Sequence, residues 1–175
     1  GEGFHQGKAA YFIRLGGCDV GCVWFDVKES WDASAHLRQP VSDIVSGARA
    51  HPSKIAVITG GEPLMHDCLE LTRQLQAAGF QTHIETSGAY PLSGRWNWIC
   101  LSPKKFRKPL PEITDKAHEL KVVIYHPSDF DWAEKYAAWV NPACKLFLQP
   151  EWSRRDSVTP LIIEYIEANP AWAFS

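Results

Sequence analysis

Two thiols stand four residues apart in Cys18-Asp19-Val20-Gly21-Cys22-Val23-Trp24, a glycine-bearing stretch just past an apolar run. A loop of this kind can wrap a metal centre. Three thiolates on it could hold three irons of a [4Fe-4S] cluster and leave the fourth iron open to a substrate or cofactor. The third cysteine of such a set would fall where the chain has Phe25. The pair reads equally well as two small buried residues, since free cysteine is among the most buried types. Cys68, Cys100 and Cys144 lie inside apolar helix or strand patterns and read as core.

A second candidate is Thr59-Gly60-Gly61-Glu62-Pro63. Two residues without a Cβ let the backbone approach a ligand closely and offer N–H and C=O groups, and the carboxylate beside them can meet a cationic group. Taken alone, the same five residues make a tight turn. Arg14 lies in an apolar strand pattern, where a guanidinium needs a partner, so it points to function. The run Lys104-Lys105-Phe106-Arg107-Lys108 reads as a solvated loop from which Lys104 reaches a site. His5, His66, His83 and His126 can each serve as acid or base, and nothing in the sequence singles one out.

Elements that would position these residues follow from periodicity. Residues 9–15 form a short apolar run closed by Gly16-Gly17, a strand entering the cysteine loop. Val41, Ile44, Val45 and Ala48 recur at helical spacing after Pro40, and residues 54–59 make a β-branched strand stopped by Gly60-Gly61. Cys68, Leu71, Thr72 and Leu75 mark a helix ended by Gly79, before a strand at 80–86. Residues 96–101 and 120–125 are further strands. Ser128 with Asp131 resembles a capping box opening a helix that leads to a strand at 145–148, and a last helix spans 160–168. Such alternation predicts an α/β fold with a mainly parallel sheet, open or partly rolled, whose functional residues collect at the carboxyl edge.

The bulk numbers narrow the class. With 175 residues, 45% of them apolar and 22% charged, the chain suits one domain with a real core. A formal net charge of -2 gives no general pull toward nucleic acid or an anionic membrane, so the expected ligand is small and any anion site local. No apolar run approaches the ~20 residues of a spanning helix. Five cysteines without a secretory pattern indicate a reducing compartment, and the cytoplasm is expected. The opening Gly1-Glu2-Gly3 and the closing Ala171-Trp172-Ala173-Phe174-Ser175, a strand just begun, are read as a single domain over 1–175 cut at both ends.

Cys-x3-Cys-x-aromatic-x after the first strand, followed by Thr-Gly-Gly-Glu-Pro after the second, resembles the radical S-adenosylmethionine superfamily, and the two together are far more specific than either alone. Within it, Gly1-Glu2-Gly3-Phe4, Phe12-Ile13-Arg14-Leu15, Asp26, Ile84-Glu85-Thr86-Ser87-Gly88 and Leu101-Ser102-Pro103-Lys104 are similar to the 7-carboxy-7-deazaguanine synthase family. The likeness runs through essentially the whole chain. It implies a partial (β/α) barrel with a radical SAM core, a homodimer, and an electron donor such as flavodoxin or ferredoxin. It also implies a lyase chemistry in which a reduced [4Fe-4S] cluster cleaves S-adenosyl-L-methionine to a 5′-deoxyadenosyl radical. That radical takes hydrogen from C6 of 6-carboxy-5,6,7,8-tetrahydropterin, and the ring contracts with loss of ammonia on the way to queuosine and other 7-deazapurines.

By the same likeness, Cys18 and Cys22 are cluster ligands, and Trp24, Phe25, Asp26, Gly61, Ser102, Pro103 and Lys104 border S-adenosyl-L-methionine. Gly1, Arg14 and Thr59 fall on the substrate side. Two positions depart from the pattern. Phe25 replaces the third cluster cysteine, and a phenyl ring offers iron no lone pair. Val27 stands where many members carry a threonine that binds Mg2+, and valine supplies no oxygen. Two other readings stay open on sequence: a glycyl-radical activase, against which the Gly-Glu-Gly start argues, and a silent S-adenosylmethionine-binding protein that has lost its cluster. A zinc module is weaker, because two cysteines make half of a usual four-ligand site.

Overall fold

The protein is described by a computed structural model over residues 2–20 and 38–175. Seven parallel strands form one sheet in sequential order: β1 (Tyr11–Leu15), β2 (Ile55–Gly60), β3 (Gln81–Thr86), β4 (Trp98–Leu101), β5 (Glu119–Ile124), β6 (Lys145–Pro150) and β7 (Trp172–Phe174). Five helices accompany them: α1 (Val41–Arg49), α2 (Leu69–Ala77), α3 (Pro111–Lys116), α4 (Asp129–Ala137) and α5 (Arg155–Ala168). No pairing joins β1 to β7 among the described residues, so the sheet is an open, partial barrel. No helix there is long and apolar enough to cross a membrane.

The strands are buried on one face by helices, and period-2 alternation sorts their side chains. Ile84, Ile99, Leu101, Leu120, Val122 and Leu148 pack with Ala133 and Tyr136 of α4 and Val158 and Ile162 of α5. Ile13, Ala56 and Ile58 pack with Val45, Ala48, Leu71 and Leu75 of α1 and α2. The intervening residues Arg14, Thr59, Glu85, Lys121 and Gln149 therefore face the lumen, where the cavity lies.

Gly79 ends α2 as its spacing predicts. At φ +83°, it turns the chain so that its own N–H reaches the Gln76 carbonyl (2.9 Å) and Phe80 N–H reaches the Leu75 carbonyl (3.0 Å). Two local expectations are corrected. Ser128 precedes α4 but makes no capping bond with its side chain; its hydroxyl meets His126 Nδ1 at 3.0 Å, and Asp129 instead accepts from the Tyr125 and His126 N–H groups. The last helix starts at Arg155, placing Pro160 inside it, because Val158 and Ile162 share the buried face and their burial offsets the one lost backbone hydrogen bond. The helix α3, with Pro111 at its start and Ile113 buried, is too short to show a period in sequence.

At the amino edge, the lumen is filled by the N-terminal turn Gly3–His5. Phe4 stacks on Trp98 (4.9 Å between ring centres), and the His5 ring lies 4.5 Å from both His83 and Trp98. Burial holds the His83 imidazole down to about 4, with His5, Lys8 and His118 adding their positive charge. The unfolded chain, with an ordinary histidine value near ~6.5, therefore takes up this proton first as pH falls. Stability present above that value drains away as pH drops toward about 4. Urea unfolding should find the protein about 2 kcal/mol less stable at pH 5 than at pH 7 through this residue. His83→Gln should flatten that slope, and an equally steep slope in the variant would exclude His83 as its source.

Candidate active site

A cavity of about 350 Å³ opens at the carboxyl edge of the sheet. Arg14 comes from β1, Thr59 to Glu62 from the end of β2, Glu85 to Ser87 from β3, and Ser102 and Lys104 from the turn after β4. Lys121 and Gln149 complete the wall from β5 and β6, with Cys18 and Val20 on the loop after β1. Parallel strands point all their carboxyl ends the same way, so residues far apart in sequence converge there.

The loop after β1 is fixed to the turn after β2 by backbone contact. Gly61 N–H donates to the Leu15 carbonyl (2.9 Å) and Glu62 N–H to the Gly17 carbonyl (2.8 Å), extending the pairing beyond the strands. His66 Nε2 meets the Gly16 carbonyl at 2.7 Å. Both glycines of the turn are required by space. A Cβ on Gly60 would stand 2.1 Å from the Leu15 oxygen, and one on Gly61 would stand 2.0 Å from the Gly17 oxygen and 2.9 Å from Cys18 Cβ. Gly60 also has φ +134°, which L side chains rarely adopt.

Glu62 stands beside the two glycines on the cavity wall. It is 2% exposed. Its carboxylate accepts from Leu64 N–H (3.1 Å), Thr86 hydroxyl (2.6 Å), Ser87 N–H (2.8 Å) and the Ser87 hydroxyl. Four donors satisfy the buried charge and lock the end of β2 to the end of β3. Nothing in the sequence separates a carboxylate that binds a ligand from one that ties two turns together.

Cys18 is half-buried at the cavity edge. Burial pushes its thiol up, as do the charges of Glu62 and Asp19, against the Val20 N–H and Lys104. Its neighbour Asp19 holds the loop from outside: Arg107 Nη1 donates to both Asp19 oxygens (2.9 and 2.8 Å) and to the Tyr90 hydroxyl (2.6 Å). Lys104 Nζ donates to Ser102 Oγ at 2.7 Å, while Pro103 between them is buried and does not line the cavity. Arg14 is exposed to the cavity and forms no ion pair with another described residue.

The structure thus gathers Cys18, Arg14, Thr59, Gly61, Ser102 and Lys104 around one space. Gly1, Cys22, Trp24, Phe25, Asp26 and Val27 lie outside the described residues. Sequence reasoning assigned no role to Glu2, Glu85, Lys121 and Gln149, which also line the cavity. The available signal was Lys121 itself, a cation inside an otherwise apolar run at 120–125.

An open parallel α/β sheet with a polar, ionisable cavity at its carboxyl edge defines an enzyme of the partial-barrel class. No family model matches the chain. Over all 175 residues it is 54% identical to the 7-carboxy-7-deazaguanine synthase of Flavobacterium psychrophilum and 47% identical to that of Synechocystis sp., covering 83% and 84% of those proteins. The crystal structure of QueE from Escherichia coli superposes with a TM-score of 0.84 at 31% identity, over 98% of this chain and 86% of that one. The chain belongs to the 7-carboxy-7-deazaguanine synthase family.

Glu62→Ala should leave four donors without their acceptor and cost roughly 3 kcal/mol of stability in urea unfolding. Gly61→Ala should destabilise as well, because the atom it would strike is a backbone oxygen rather than a side chain free to swing away. A loss below about 1 kcal/mol for Glu62→Ala would refute the latch.

Proposed function

We propose that this chain is built to make 7-carboxy-7-deazaguanine from 6-carboxy-5,6,7,8-tetrahydropterin, the radical S-adenosylmethionine ring contraction that leads to queuosine and other 7-deazapurines, and that turnover requires a cysteine at the position of Phe25. Membership of the family at 54% identity over the full chain supports the activity. The observation that carries the site assignment is the meeting of Cys18, Gly61, Ser102 and Lys104 with Arg14 and Thr59 in a single cavity.

In this reading, Arg14 faces the substrate carboxylate. Its guanidinium is always charged and offers a planar fork of donors, while no described carboxylate occupies it. Thr59 stands beside it in register across β1 and β2, with a hydroxyl that can donate or accept. Gly61 admits the cofactor close to the backbone, and Ser102 with Lys104 presents a hydroxyl and an ammonium from the turn after β4. A one-electron donor such as flavodoxin or ferredoxin and a homodimeric assembly belong to the same proposal.

The donor set of this chain does not fit a three-thiolate [4Fe-4S] cluster. Cys18 lines the cavity, but Cys68, Cys100 and Cys144 are buried away from it, and Phe25 takes the place of the third ligand. Among the described residues no three of His, Cys, Asp and Glu come together closely enough to hold a metal ion. With Val27 offering no oxygen, Mg2+ would need water, Asp26 or the substrate for its ligands.

Phe25→Cys therefore provides the test. After anaerobic reconstitution with iron and sulfide, that variant should hold more iron than the parent chain, show the absorption and EPR signals of a [4Fe-4S] centre, and turn over carboxytetrahydropterin. Absence of a cluster in the variant would defeat the reading. On the substrate side, Arg14→Ala should weaken pterin binding by about 2 kcal/mol in calorimetry, the worth of a charge-assisted hydrogen bond, with the melting temperature little changed. Unaltered binding would remove Arg14 from the site.

A further inference from the structure

The lumen below the cavity holds a cation that the packing of the sheet does not require. Lys121 lies on β5 and is 3% exposed, although lysine is almost never fully buried unless paired. It is paired twice. Its ammonium donates to a carboxylate oxygen of Glu2, on the N-terminal segment, and lies 3.3 Å from Oε2 of Glu85 on β3. The Glu2 side chain is 53% exposed and that of Glu85 27%, so both acids retain surface toward the cavity they line while the ammonium between them has almost none.

The charges decide what kind of residue this is. Burial works against the Lys121 charge, yet the groups around it, Cys100, Glu85 and Glu2, hold it above the ordinary lysine value. A lysine that moves protons needs the opposite, a value lowered toward neutrality. Lys121 is therefore a fixed cation. Burial likewise opposes ionisation of Glu2, and the nearby ammonium together with a hydrogen bond from Gln149 overcomes it.

The backbone explains why Glu2 needs such a tie. Gly3 turns at φ +56° against Glu119, where a Cβ would fall 1.8 Å from the carboxylate, and this turn sends the preceding residue up the lumen. The rest of the segment is held by the Gly3 N–H on Ser175 Oγ (3.1 Å), the Phe4 N–H on Glu119 Oε2 (3.4 Å) and the stacking of Phe4 on Trp98. None of these contacts aims the Glu2 side chain.

We propose that Lys121 is the positioning residue of this site: it docks the N-terminal segment against β3 and holds the cavity-facing oxygens of Glu2 and Glu85 as one rigid acceptor pair for the substrate. The identity of that substrate rests on the proposed function, whereas the tie exists without ligand and is tested without it.

Amide hydrogen exchange on the ligand-free protein should show the Gly3 to Gln6 amides exchanging at least about tenfold faster in Lys121→Met and in Glu2→Gln, and within about threefold of the parent in Lys121→Arg. Glu2→Gln leaves Lys121 its Glu85 partner, so it carries this measurement if Lys121→Met fails to fold. Calorimetry with carboxytetrahydropterin should find binding weakened about tenfold in Lys121→Met, and Lys121→Met should cost nothing further in a Glu2→Gln/Glu85→Gln background, because the lysine acts through the two acids. Unchanged exchange in both single variants, or losses that simply add, would overturn the proposal. If the parent protein binds no pterin, the substrate assignment falls and the exchange result alone decides the tie.

Discussion

The site depends on two strand ends meeting backbone to backbone. Gly61 and Glu62 donate to the carbonyls of Leu15 and Gly17 at 2.9 and 2.8 Å, with no side chain intervening. This contact fixes where Cys18 sits relative to the second strand, and it is possible only because neither Gly60 nor Gly61 carries a Cβ. Everything else at the carboxyl edge is arranged around that join. Glu62 carries it across to β3, His66 braces it from above the turn, and Arg107 with Asp19 ties the outer side of the loop to the turn after β4.

The outer and inner ties differ in what water can do to them. Asp19 and Arg107 are each close to half-exposed, so solvent and salt screen their attraction, and the geometry of two oxygens on one nitrogen contributes order more than energy. Glu62 is screened by almost nothing. Its charge is balanced by fixed dipoles from backbone and hydroxyl groups, and these cost no rearrangement once the two turns are formed. The firm part of the site is thus its floor between β2 and β3, and the part open to water is the Asp19–Arg107 tie.

Much of this was legible in the residues themselves. Glycine pairs at strand ends, helices closed by Gly79, and alternation of apolar runs give the parallel sheet and its functional edge. Cys18, Gly61, Ser102 and Lys104, which the motifs single out, line one cavity. What escaped were residues whose role depends on a partner distant in sequence. Lys121 is one cation in an apolar run, and only the fold brings Glu2, 119 residues away, to its side. The part Glu62 plays between β2 and β3 was equally hidden, because its four donors come partly from a turn 25 residues later. The Ser128 hydroxyl has a partner in His126 Nδ1 rather than in the helix it precedes, which period and spacing do not reveal.

The open seam between β1 and β7 gives the N-terminal turn a mechanical role. A closed barrel has a continuous hoop of ladder bonds that fixes its girth, and among the described residues no such bonds join β1 to β7. Its width at the amino end must be set by what fills it: the slab of Phe4, His5, His83 and Trp98, with Gly3 bonded to Ser175 just past the last strand. The short segment before β1 thereby works as a spacer rod and fastening for the sheet that the described residues leave open between β1 and β7.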